Sequence, residues 1–134
     1  MQTILSKWLL AAVACSVMIP AVEAADLTGA WADNTSECGK IFVKNGASIS
    51  FAKDADLYGS GLVFEKNRII GKIASCNIKS QKQDGDVLHI IGACSTDVAL
   101  QTVQLSLKMD GDNTIVRIFP GVPELQMRYS RCAF

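Results

Sequence analysis

The stretch from Cys76 to Cys94, CNIKSQKQDGDVLHIIGAC, sets the tightest condition on this chain. Two runs of strand-like residues flank Asp84-Gly85, and a cysteine closes each outer end. That is the pattern of a β-hairpin stapled by a disulfide. In an antiparallel pair, directly opposed residues keep a constant index sum. Cys76 and Cys94 face each other only when that sum is 170. A two-residue Asp84-Gly85 turn would make it 169 and place the sulfurs on opposite faces, because a one-residue slip flips every side chain. The bridge therefore requires a three-residue loop, Asp84-Gly85-Asp86, or a bulge.

The remaining cysteines fit the same scheme. Residues 1–24 have the form of a secretory signal peptide: Lys7 supplies a positive start, Trp8 to Val22 is an apolar run broken by Pro20, and Val22 and Ala24 occupy the −3 and −1 positions of a cleavage site. The run is shorter than the ~20 residues needed to span a bilayer. Lipoprotein processing at Cys15 is the lesser reading, since Ala12 stands where such a signal favours leucine and apolar residues continue past the cysteine. Cleavage after Ala24 leaves residues 25–134 as one domain with Cys38, Cys76, Cys94 and Cys132. An even set of cysteines in a short exported domain reads as two disulfides, for a periplasmic or secreted product. Of three possible pairings, the hairpin favours Cys76–Cys94, which leaves Cys38–Cys132. No CxxC pair exists, which disfavours zinc or redox chemistry.

Short β-rich runs separated by turn residues fill the rest, and no helical stripe emerges. Asn45-Gly46 is a second hairpin signal, Asn67 reads as a reversal, and RIIGKIAS (68–75) reads as one strand. Between Val98 and Met109 the alternation changes phase: Val98 and Leu100 share one face, and Val103, Leu105, Leu107 and Met109 the other. Burying both sets needs a bulge or bend near Gln101-Thr102. Around eight short strands predict an all-β fold, an up-and-down antiparallel β-barrel, with a β-sandwich as the alternative. Residues 52–59 read as a loop or one helical turn. The chain ends in Phe134, as outer-membrane barrels often do, but CNIKSQKQ and LQMRYSRC are polar on both faces, so no membrane span is expected after signal removal.

LTGAW at Leu27–Trp31 places Gly29 and Trp31 in a Gly-x-Trp pattern on the first strand. This resembles the opening of lipocalin-like (calycin) barrels, including small periplasmic protease-inhibitor barrels. The resemblance implies that Trp31 plugs the barrel base under a basic residue: Arg117, Arg128 or Arg131. The chain departs from the inhibitor pattern in having only Ala25–Thr28 ahead of Gly29, where those inhibitors carry a longer segment into the protease.

Charge and motifs narrow the function. With 13 basic and 13 acidic residues, of which the leader removes Lys7 and Glu23, the domain is near neutral, which argues against nucleic-acid binding. His89 is the only histidine, and no Gly-x-Ser-x-Gly elbow accompanies it, so no enzyme is expected. The DGD and DGDN stretches at Asp84–Asp86 and Asp110–Asn113 lack the glutamate of a calcium loop, and neither metal nor cofactor is expected. YGSG (Tyr58–Gly61) lacks a phosphate-loop context and is a candidate contact loop through Tyr58 and Ser60. FPGVPEL (119–125) is stiffened by two prolines and carries Phe119, Val122 and Leu125, either as a cover for one barrel end or as a partner contact. The composite expectation is a non-enzymatic exported barrel that binds a protein or a small apolar ligand, with inhibition of an envelope or extracellular enzyme as one form of that binding. The alternative is a structural envelope protein.

Overall fold

A computed structural model describes residues 14–18 and 26–134. The leader lies outside these residues apart from 14–18, and so does the expected cleavage point. The described residues form ten strands: β1 (Gly29–Ala32), β2 (Phe42–Asn45), β3 (Ser48–Phe51), β4 (Gly61–Phe64), β5 (Arg68–Ile70), β6 (Ser75–Asp84), β7 (Val87–Ser95), β8 (Leu100–Met109), β9 (Thr114–Ile118) and β10 (Gln126–Arg131). Eight of them close an antiparallel barrel in the order β1-β10-β9-β8-β7-β6-β5-β4, and β2-β3 form a separate hairpin. The up-and-down barrel is thus the architecture, and the disulfides are Cys76–Cys94 and Cys38–Cys132.

The β6–β7 hairpin meets the register condition through a bulge. Its turn is Gly85-Asp86, one residue later than the sequence suggests, with Asp84 opposite Val87. Gly85 takes φ 60°, the left-handed value that the first position of a two-residue hairpin turn demands. Opposed residues therefore sum to 171 from the turn as far as Ser80–Ile91. Lys79 is then skipped, and from Ile78–Gly92 to Ser75–Ser95 the sum is 170. Cys76 lands opposite Cys94 on the inner face. Asn45-Gly46 is offset in the same way: Asn45 pairs with Ser48 at the end of β2, and the turn is Gly46-Ala47.

The inner faces fill the barrel. Trp31, Phe64, Ile69, Ile90, Leu105, Leu107, Ile115 and Tyr129 form one buried cluster with the Cys76–Cys94 bridge. Each fully buried large apolar side chain contributes about 1.5–3 kcal/mol. The expected bulge near Gln101-Thr102 is absent. β8 keeps one register against β7 from Val87–Lys108 to Ser95–Leu100. Val103, Leu105, Leu107 and Met109 join the core, and the opposite phase is resolved by leaving Val98 and Leu100 in solvent.

A second cluster lies outside the barrel wall. Small outward residues, Ala30 and Ala32, together with Val63, receive a layer made by a short helix at Cys38–Ile41 and the β2-β3 hairpin. Gly61 permits this closeness: a Cβ there would meet the Trp31 carbonyl oxygen and lie 2.7 Å from the Phe42 ring. The helix at Cys38–Ile41 is short, and lone charged or polar residues around it leave no stripe for sequence reading. Residues Ala55–Leu57 form a single 3-10 turn. Cys38–Cys132 ties this outer layer to the end of β10, 94 residues away in sequence.

Candidate functional site: the apolar end of the barrel

Alternating strand directions sort the connections between two ends. At the base lie residues 26–28, 65–67, 85–86 and 110–113; at the opposite end lie 71–74, 96–99 and 119–125, and the connection 33–60 leaves from and returns to that end while its middle forms the outer layer. The base connections are polar: Glu65-Lys66-Asn67, Gly85-Asp86 and Asp110-Gly-Asp-Asn113. The opposite end carries Ile73, Val98 and Leu100 at 82%, 94% and 86% exposure, with Leu57, Tyr58, Val122, Leu125 and Met127 also exposed. Ile73 is there because Gly71–Ala74 form a tight turn, the Gly71 N–H donating to the Ala74 carbonyl at 2.8 Å, which splits the expected strand 68–75.

Each predicted site residue has a definite place. The Arg131 guanidinium lies over Trp31, 4.2 Å from the ring centroid, and donates to the carbonyls of Thr28 and Asp26 at 2.8 Å each. The buried Trp31 indole N–H donates to the Leu27 carbonyl at 2.8 Å. The Asp26 carboxyl is held below the usual carboxylate range by hydrogen bonds from the Thr28 backbone and side chain, with the Arg131 charge acting the same way. Arg128 points outward to Asp110. Arg117 faces inward at the apolar end, its guanidinium 4.8 Å from the Phe119 ring centroid. Only Arg131 therefore stands at Trp31.

Ser60 is engaged in the fold. Its N–H donates to the Asp33 carboxylate at 2.9 Å and its carbonyl accepts from the Asp33 N–H at 3.0 Å. Tyr58 is exposed, with the Lys40 ammonium 4.9 Å from its ring centroid. Phe119, Val122 and Leu125 form successive turns of a loop, the Val122 N–H donating to Phe119 and the Leu125 N–H to Val122, both at 3.0 Å. Tyr58 and Ser60 precede β4, and Phe119, Val122 and Leu125 follow β9, so both connections meet the barrel at its apolar end.

Two adjoining clefts open at this end. One, of about 200 Å³, runs along Leu62, Ile69, Val103 and Leu105 and includes Lys72 and Arg117. The other, of about 290 Å³, is bordered by Gly61, Met127 and Tyr129 and shares Leu62, Lys72 and Arg117 with the first. The Lys72 ammonium is held by the carbonyls of Ala52 and Lys53 at 3.0 and 2.9 Å. A further cleft of about 190 Å³ lies at the base between Asp26, Phe64, Gln81 and Leu88.

A polar grouping surrounds His89. On the outer face of β7 and β8, the His89 Nδ1 lies 2.8 Å from the Ser106 hydroxyl, and the Asp84 carboxylate lies 3.9 Å from Nε2. The latter exceeds hydrogen-bond range. Gln104 stands 3.3 Å from Nδ1 and 3.4 Å from the Ser106 oxygen. Ser106 is 1% exposed, so the side chains bonded to its hydroxyl also close it off. His89 and Gln104 give the buried Ser106 hydroxyl its hydrogen-bond partners. Among the described residues, no three His, Cys, Asp or Glu side chains gather as a metal site.

Sequence reading missed the apolar end as a unit. The signal was present in the Val98–Leu100 phase, which reports an exposed pair. Comparison with family models, with curated proteins and with solved structures finds no match to this chain. Two disulfides fit an extracellular or periplasmic protein. No helix among the described residues is long and apolar enough to cross a membrane.

Proposed function

We propose that this chain is an exported, non-enzymatic binding module that engages its target, a protein or a small apolar ligand, through the apolar end of the barrel. The observation that carries this reading is the asymmetry of the two ends: exposed Ile73, Val98, Leu100, Val122 and Leu125 against the acidic and amide residues of the base turns. Exposed apolar residues gathered in one region mark interaction sites, whereas scattered ones do not. The filled lumen supports recognition at the mouth and rim over enclosure in a deep cup. Inhibition of an envelope or extracellular enzyme is one form this binding would take.

A photo-crosslinking residue placed at Val98, or at Asp112 on the base as control, tests the reading in the native envelope fraction. Adducts should form from position 98 and disappear when Ile73 and Leu100 are changed to Asp. Equal adducts from both ends, or adducts from Asp112 alone, would overturn it. Added in stoichiometric amounts to a panel of proteases and lysozymes, an inhibitor slows at least one of them.

A further inference from the structure

The domain has four arginines, and three are occupied. Arg68 donates to Glu65, Arg128 to Asp110, and Arg131 to two backbone carbonyls over Trp31. Arg117 differs. Its place on β9, opposite Leu107 on β8 and Met127 on β10, turns it inward, and it is half-buried. Among the described residues it has neither a hydrogen-bond acceptor nor an ion-pair partner, and its guanidinium packs on the face of Phe119.

The surroundings of Arg117 define what would pair with it. In the apolar cleft its neighbours are Leu62, Ile69, Val103 and Leu105, and the only other charged side chain there is Lys72, also a cation. In the adjoining cleft Asp56 is the one carboxylate, at the border where the chain is exposed. Tyr129, 3% exposed, lines that second cleft too, and its hydroxyl donates only to the Met127 sulfur at 3.6 Å, a weak acceptor. Two hydrogen-bond donors, one of them charged, therefore sit at an apolar mouth without a strong acceptor. A half-buried guanidinium in that position is costly when unpaired and strengthens any anion that reaches it. Its planar fork matches a carboxylate through two parallel bonds.

We infer that the apolar end holds a small single-chain carboxylate, with the carboxylate on Arg117 and beside Tyr129 and the apolar tail along Leu62, Ile69, Val103 and Leu105. A cleft of about 200 Å³ suits one short chain and is small beside the usual ~300–1,000 Å³ of drug-sized ligand sites. This inference rests on the binding reading above and names the ligand class for it.

Decanoate and 1-decanol, which share a tail and differ in the head group, provide the probe. Titrated calorimetrically into the purified exported protein, decanoate should bind at least about ten-fold more tightly than decanol, a difference worth ~1.4 kcal/mol. Arg117→Met should abolish that preference, and Arg117→Lys should restore part of it. If Arg117→Met does not fold, the Arg117 Nε–H resonance of the wild-type protein serves instead, and it should move with decanoate and not with decanol. Equal affinities, no binding of either probe, or a preference that survives Arg117→Met would overturn the inference. Crosslinking from Val98 that persists alongside any of these results would leave the binding reading standing and remove the carboxylate alone. Decanoate selectivity without end-specific crosslinking would do the reverse for protein targets.

Discussion

The skipped residue in β6 makes a quantitative prediction. Lys79 is exposed, and it is the extra residue that changes the pairing sum from 171 to 170. Deleting it alone leaves Ile78 opposite Gly92 and Cys76 opposite Cys94, because the bulge disappears and nothing above or below it moves. The alternation also survives, with Ile78 inward, Ser80 outward and Gln81 inward. The disulfide spans 18 residues, a closure worth about 3 kcal/mol in the chain-entropy model, and shortening it by one changes that by less than about 0.1 kcal/mol. The single deletion should therefore keep the bridge and hold stability within about 1 kcal/mol. Deleting Lys79 and Ser80 together is a different perturbation. It slips the upper half of β6 by one residue, brings Ala93 opposite Cys76, and turns the sulfur outward. That variant should lose the bridge, its ~3 kcal/mol, and part of the inner cluster. Non-reducing peptide mapping reads the linkage, and urea denaturation reads the stability. Loss of the bridge in the single deletion, or its retention at wild-type stability in the double deletion, would refute the register argument.

Three other outcomes follow from the packing and charge. Gly61→Ala drives a methyl group into the Trp31 carbonyl and toward the Phe42 ring at 2.7 Å, and should cost about 1–3 kcal/mol in urea denaturation. An unchanged midpoint would show that the outer layer is looser than described. Arg131→Met removes the cation over Trp31 and the donors to Thr28 and Asp26, and should cost about 2–3 kcal/mol, visible in the same assay and in Trp31 fluorescence. Asp26 and Asp86 are both held below the ordinary carboxylate value of 3.8, Asp26 by the Thr28 hydrogen bonds and Asp86 by Lys108. A depressed folded-state value means stability that is present above the ordinary value and lost as pH falls through the lowered one. Acid denaturation of Asp26→Asn and Asp86→Asn should therefore show a shallower loss below about pH 4 than wild type, and the Asp86 effect should shrink in high salt because that pair is exposed.

The fold was legible where one period and one constraint agreed. Cysteine parity and hairpin index sums selected both bridges, and alternating runs gave the strands. The turn positions were read one residue early at both Asn45-Gly46 and Asp84-Gly85. In each case glycine opens the turn and the preceding residue still pairs, a choice that dipeptide preference does not reveal. The short helix at Cys38–Ile41 was hidden because four residues cannot show a helical period. The candidate site was partly legible: Tyr58, Phe119, Val122 and Leu125 were singled out as contacts. Ile73 reads as part of a strand, and Val98 and Leu100 read as one of two faces whose joint burial would need a bulge, since alternation records which residues share a face and not which face meets water. The role of Arg117 depends on the partners of three other arginines, which no local pattern contains.

The account stands or falls on which end of the barrel recognises apolar matter. An amide chemical-shift map of the disulfide-bonded domain, recorded as anilinonaphthalene sulfonate is added, addresses this directly. The account predicts shifts confined to residues 55–62, 71–74, 96–103 and 117–129, with the base turns at 65–67, 85–86 and 110–113 unmoved. Shifts centred on the base or spread through the inner cluster would contradict it, and so would a map with none at the apolar end.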